Sequence, residues 1–158
     1  MDSQEHLMRE AVAVCKRGIE LGQSPFGAVI ATRAGQIIHA AHNTVRQTGD
    51  PTAHAEVNVI REVCRTLGTV DLSGHVLATT CEPCPMCASA IHWARLDEVY
   101  YGASIEDAAQ AGFNELPVSC RSLYRDGDSP VRVVDGVLGD QCRDLFRLWK
   151  EGPDPRPY

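Results

Sequence analysis

Apolar residues recur at helical spacing near the start of the chain. Leu7, Ala11, Val14, Cys15 and Ile19 follow the candidate caps Asp2 and Ser3, and Gly22 supplies a stop. The pattern then changes period. Phe26-Gly27-Ala28-Val29-Ile30-Ala31 is an apolar run too short for a helix, and after Ala34-Gly35 a second run fills 36–41, so the pair predicts a β-hairpin. Helical spacing returns from Asp50-Pro51-Thr52 through Val57, Ile60, Val63, Cys64 and Leu67 to Gly68. Residues 76–80 and 98–102 read as strands, with a helix through 88–94 between them that opens near Cys84. A short helix over 105–111 stops at Gly112. A loop of low regularity follows, then a fifth strand at 131–134 and a helix over 141–150 presenting Cys142, Leu145, Phe146 and Trp149. The strand and helix alternation implies a largely parallel sheet, which the hairpin makes mixed. The expectation is a three-layer α/β/α sandwich around five strands. No repeat, linker or phosphate-binding glycine loop interrupts it, so residues 1–158 read as one domain, with 151–158 as an extended tail.

With 158 residues and 44% hydrophobic content, the chain has enough apolar side chain for one core. Its first residues, Met1-Asp2-Ser3-Gln4-Glu5-His6, are acidic and polar where a signal peptide is basic and then apolar, and no apolar run approaches ~18 residues. Cytoplasm is the default expectation. A net charge of −6 weighs against a nucleic-acid partner, because phosphate binding needs a basic face. Arg143, Arg147 and Lys150 fall at helical spacing and read as a solvated helix face. Of seven cysteines, Cys15, Cys64, Cys120 and Cys142 are scattered and read as reduced, buried small hydrophobes.

The remaining three thiols lie in Thr80-Cys81-Glu82-Pro83-Cys84-Pro85-Met86-Cys87. The two prolines end the arriving strand, and a proline in the first turn suits a helix start, so Cys84 and Cys87 belong to one helix opening. There they share a face, the dipole favours their thiolates, and one zinc can bridge them. A C-x-x-C alone is open between a redox dithiol, a structural zinc knuckle and half of a catalytic site. Upstream, Asp50-Pro51-Thr52-Ala53-His54-Ala55-Glu56-Val57 offers an imidazole and a carboxylate but no second thiol pair. His54 with Cys84 and Cys87 makes three ligands, the count that leaves a catalytic zinc one position for water. His54 and Glu56 are two residues apart and diverge on a helix surface, so both reach one centre only if it lies off the helix end.

Other candidates carry two readings each. Asn43, at the end of the second strand, suits either a substrate-orienting amide or a plain turn. Phe26 and Trp93 can sandwich a planar ring or fill core. His39, His42 and Met86 read as packing. Pro153, Pro155 and Pro157 stiffen the tail into an extended arm ending at Tyr158, either a lid or a frayed end.

His54-Ala55-Glu56 followed by Pro83-Cys84-Pro85-Met86-Cys87 resembles the zinc-dependent cytidine deaminase-like superfamily, with its H-x-E and P-C-x-x-C signature. Within it the chain looks most like the small bacterial guanine deaminases. The matching words also include Pro25-Phe26-Gly27-Ala28-Val29-Ile30, Trp93-Ala94-Arg95, Asp107-Ala108-Ala109, Ala111-Gly112-Phe113 and Tyr158. The resemblance implies one zinc per chain on His54, Cys84 and Cys87, with Cys81 not a ligand and Glu56 as proton shuttle. It implies that Phe26, Asn43, Trp93 and the backbone at Ala55 hold the base. It also implies a homodimer in which the tail crosses over, so that Tyr158 lines the partner's pocket. Where those enzymes carry two aspartates this chain has Asn114-Glu115, which makes Glu115 either a second catalytic acid or a solvated loop residue.

The resulting expectation is hydrolytic deamination of guanine to xanthine and ammonia. The alternatives are another ring (cytosine, a nucleoside, an aminotriazine such as ammeline, or adenosine in transfer RNA) and a non-enzymatic zinc-stabilised binding module.

Overall fold

The computed structural model describes residues 3–158, so the candidate cap Asp2 lies outside the described residues. Helix α1, Ser3–Glu20, turns Leu7, Met8, Ala11, Cys15 and Ile19 inward, as its apolar spacing requires. Strands β1, Gly27–Thr32, and β2, Ile37–His42, pair antiparallel as the expected hairpin. A four-residue helix α2, Val45–Thr48, precedes α3, Ala55–Leu67. Then come β3 (His75–Cys81), α4 (Pro85–Trp93), β4 (Glu98–Ala103), α5 (Ile105–Gln110), α6 (Cys120–Asp126), β5 (Arg132–Val134) and α7 (Gly139–Lys150).

The strands lie in the order β2-β1-β3-β4-β5. The first hairpin is antiparallel to its neighbour as well as within itself, since β1 also pairs antiparallel with β3; only β3 with β4 and β4 with β5 are parallel. The sheet is therefore mixed, and less parallel than the element alternation implies. Helices α1 and α7 pack together on one face, and α3, α4 and α6 on the other, giving the three-layer sandwich. Close approach depends on glycine at two positions: a Cβ on Gly27 would collide with the Ala11 carbonyl of α1, and one on Gly102 with Cys142 Sγ of α7.

One boundary and two short helices differ from the sequence expectation for local reasons. Helix α3 opens at Ala55 rather than near residue 50, because Asp50 Oδ1 accepts from both the backbone N–H (2.8 Å) and the hydroxyl (2.7 Å) of Thr52. That Asx turn uses up the capping side chain and leaves His54 as N-cap. Helices α2 and α6 are too short to display a period. Ser119 caps α6, accepting from Ser122 N–H at 3.1 Å, and the Tyr124 hydroxyl pins it to α4 by donating to the Ala88 carbonyl at 2.7 Å.

The basic residues of α7 are a solvated face, as expected: Arg143 pairs with Asp140, and Arg147 with Asp144 and Glu151. Among the described residues no helix is long and apolar enough to cross a membrane.

Candidate active site

Two helix openings meet at the end of β3. His54 is the N-cap of α3 and Cys84 the N-cap of α4, both with extended backbone and neither using its side chain as a cap; Pro85 holds the first position of α4. An extended cap projects its side chain off the helix end, which is how His54 and Glu56 face one centre although two residues apart. His54 Nδ1 lies 3.6 Å from Cys84 Sγ and 3.5 Å from Cys87 Sγ, and the three donor atoms fall within 4.8 Å of one another. A tetrahedral zinc with Zn–S bonds of about 2.3 Å and Zn–N of about 2.1 Å places nitrogen and sulfur about 3.6 Å apart. The donor set therefore fits that ion.

The electrostatics agree. A hydrogen bond from Cys87 draws the Cys84 thiol down to about 4, with His54 helping and burial opposing. Cys87, sharing that proton and buried, is pushed well above the ordinary thiol range. Burial acts to lower the imidazole of His54, but Cys84 and Glu56 outweigh it and raise it. A thiolate and an imidazole at two helix N-termini are groups from which a divalent cation displaces protons.

Glu56 sits in the first turn of α3 and is only 5% exposed. The Thr79 hydroxyl of β3 donates to its Oε1 at 3.0 Å, and its Oε2 lies 3.4 Å from Cys87 Sγ. Burial raises the carboxyl above its ordinary range, and His54 partly offsets this. Cys81 is also buried and its thiol is raised, but its Sγ points to the Ser104 carbonyl at 3.4 Å, away from the donor set.

Asn43 is fully buried. Its Oδ1 accepts from the Val45 N–H at 3.0 Å, which fixes the amide so that Nδ2 donates to the Tyr158 hydroxyl at 2.6 Å. The Tyr158 ring lies 5.8 Å from that of His54 and 5.4 Å from that of Phe113, and its carbonyl accepts from Asn114 N–H at 3.0 Å. In this single chain the tail covers its own site. Phe26 meets Phe113 edge-on at 4.9 Å and closes the floor together with Glu56 and Glu82. Ala55 is buried at the first position of α3, where its N–H has no partner within the helix.

An outer cavity of about 260 Å³ leads in, walled by Pro51, Pro85, Met86, Phe113 and Leu116, with Glu115 beside His54 and Tyr158. Burial, with the charge of Cys84 adding to it, pushes the Glu115 carboxyl up to about 7.

Trp93 does not join this site. It ends the helix that Cys84 opens, and nine residues of helix are about 13 Å long. It stands 80% exposed beside a separate groove with Arg33, Arg95 and Arg132. Sequence reasoning missed two supporting residues. Thr79 lies in an unbroken buried strand and carries no signal of its own. Glu82, inside the cysteine motif, accepts from the backbone N–H of Ile105 and of Cys120, each at 3.1 Å, and so joins the starts of α5 and α6.

The cytidine and deoxycytidylate deaminase zinc-binding region matches residues 1–103. Over 99% of both chains the sequence is 43% identical to the guanine deaminase of Bacillus subtilis. It is also 37% identical to a tRNA-specific adenosine deaminase of the same organism, covering 92% of this chain and 88% of that one. The structure of guanine deaminase from Nitrosomonas europaea superposes with a TM-score of 0.86 at 27% identity, over 93% of this chain and 84% of the other.

Proposed function

Because this chain belongs to the cytidine and deoxycytidylate deaminase family, a family of zinc-type deaminases, we propose that it hydrolyses free guanine to xanthine and ammonia. The observation that carries this reading is Glu56, a buried carboxylate held by Thr79 against the His54, Cys84 and Cys87 donor set.

His54, Cys84 and Cys87 would hold one zinc per chain, which would supply Lewis acidity and activation of water. The chain's own residues do the rest. Glu56 has one oxygen fixed by Thr79 and the other facing the centre, so it takes a proton from the attacking water. It then delivers that proton to the ring nitrogen next to the reacting carbon, and helps the amine leave as ammonia. The Asn43 amide and the Ala55 N–H orient the ring against Phe26. Glu115, its carboxyl pushed up to about 7, relays the second proton of that water to the departing amine, which leaves as ammonia. Tyr158 shields the reacting atoms from bulk water.

The cavity supports a free base. Its outer walls are largely apolar, with Glu56 and Glu82 at its depth and Glu115 at its rim, and among the described residues that line it there is no lysine or arginine to meet a phosphate. A transfer-RNA substrate, suggested by the adenosine deaminase relative, is less well served by this rim and by a net charge of −6. The enzyme is proposed to act as a cytoplasmic homodimer in purine metabolism, with the tails exchanged so that Tyr158 makes its contacts across the interface. Ammonia release from guanine, guanosine, cytosine, cytidine, adenine and ammeline tests the substrate. Guanine should give the highest kcat/KM, and preference for any other ring would replace it.

A further inference from the structure

The tail is tied down far from Tyr158 as well as at it. Arg46, in α2, reaches residue 154 with both prongs of its guanidinium: Nη1 donates to the Asp154 carbonyl at 2.8 Å and Nη2 to Asp154 Oδ2 at 2.6 Å. Arg46 is about one-fifth exposed and Asp154 less than half. Asp154 also pairs with Arg156, but that bond stays within the tail and ties it to nothing. Among the described residues, Arg46 alone carries the Asp154 charge across to the body of the protein. Three residues earlier, Asn43 of the same turn holds the Tyr158 hydroxyl. The segment 43–46 thus grips the arm at both ends, while the proline spacing keeps the arm extended between them. Gly112, at φ 108°, leaves room for Pro157: a Cβ there would lie 3.2 Å from its Cγ.

We propose that Arg46 is a positioning residue that, through Asp154, seats Tyr158 over the site. This rests on the reading of that site as a nucleobase deaminase. A two-pronged bond to a main-chain carbonyl and a carboxylate fixes where residue 154 sits as well as its distance, and a lysine cannot reproduce it. Releasing the latch lowers the fraction of molecules with Tyr158 in place, and the apparent affinity for the base falls by that fraction.

The test is charge reversal with rescue. Arg46→Asp and Asp154→Arg should each raise KM for guanine by about three- to tenfold, with a smaller change in kcat, as for a partly screened ion pair. The double variant should recover the part of the loss that belongs to the side-chain ion pair, since an aspartate at 46 cannot donate to the residue-154 carbonyl; Arg46→Lys should fall between, and Arg156→Ala should leave KM unchanged. Hydrogen exchange of the tail-bound amides, Arg156 N–H on the Asp154 carbonyl and Asn114 N–H on the Tyr158 carbonyl, measured without any base, should speed up in each single reversal and slow again in the double. A double variant no better than the single reversals in KM and exchange, or unchanged exchange of the tail-bound amides in the single variants, overturns the latch. If the wild type deaminates no base in the panel, the substrate reading fails, and the exchange measurements still decide the latch.

Discussion

Asn43 and Tyr158 are 115 positions apart, yet the amide donates to the phenol at 2.6 Å, and the Tyr158 ring lies 5.8 Å from the His54 imidazole. A buried amide that is fixed on one side by Val45 and meets the tail on the other makes the tail part of the site wall. Deleting residues 153–158 should leave zinc content unchanged and raise KM or lower kcat several-fold. Tyr158→Phe removes the hydroxyl only, and a single hydrogen bond of about 1 kcal/mol corresponds to a roughly fivefold loss in kcat/KM. Unaltered kinetics in the truncated enzyme would make the tail a frayed end.

The three thiols of the cysteine motif should separate cleanly by metal analysis. Cys84→Ser and Cys87→Ser should each lose zinc and folded structure, because both sulfurs lie within 3.6 Å of His54 Nδ1. Cys81→Ser should keep one zinc per chain, since its sulfur faces the Ser104 carbonyl. Zinc loss from the Cys81 variant with retention in the Cys84 variant reverses the assignment.

The metal-side residues were legible because their spacing is local: the ligand His54 with the carboxylate Glu56, and the ligands Cys84 and Cys87, each fall within one helix opening. The substrate side was legible only in part. Phe26 lines the cavity and Asn43 meets it through Tyr158, whereas in the single chain Trp93 stands at the far end of α4, because a sequence word does not say which end of a helix faces the site. Arg46 and Asp154 were invisible for a different reason. They are 108 residues apart, on a helix too short to show a period and an arm with no period at all. The α2 and α6 helices were missed on the same ground, while the apolar stripes of α1, α3 and α7 were long enough to read.

Glu115 faces the cavity from a loop, and its carboxyl is pushed up to about 7 by burial and by Cys84. If it relays the second proton, Glu115→Gln should lower kcat on guanine by more than Glu115→Asp, which keeps an ionisable group one methylene shorter; loss of a general acid–base group costs up to ~10²–10⁴-fold. Equal and small effects from both substitutions make it a solvated loop acid.

Exchange of tails between protomers has its own signature. A Glu56→Gln chain has an intact tail and no shuttle, and a chain lacking 153–158 has the shuttle and no tail. Co-expressed, the two should regain the several-fold activity that the truncated chain lacks alone, because the mixed dimer places one intact tail over one intact Glu56. No recovery in a demonstrated mixed dimer means that each tail covers its own site, as it does in the single chain.

The central claim is that Glu56 moves the protons of a zinc-dependent deamination beside His54, Cys84 and Cys87. Its most direct test is guanine turnover by Glu56→Gln, with zinc measured on the same preparation. The amide preserves size and can still accept from Thr79, but it cannot carry the proton. Zinc should therefore match the wild type while kcat falls by at least ~10²–10⁴-fold. Full zinc with near-normal turnover contradicts the account.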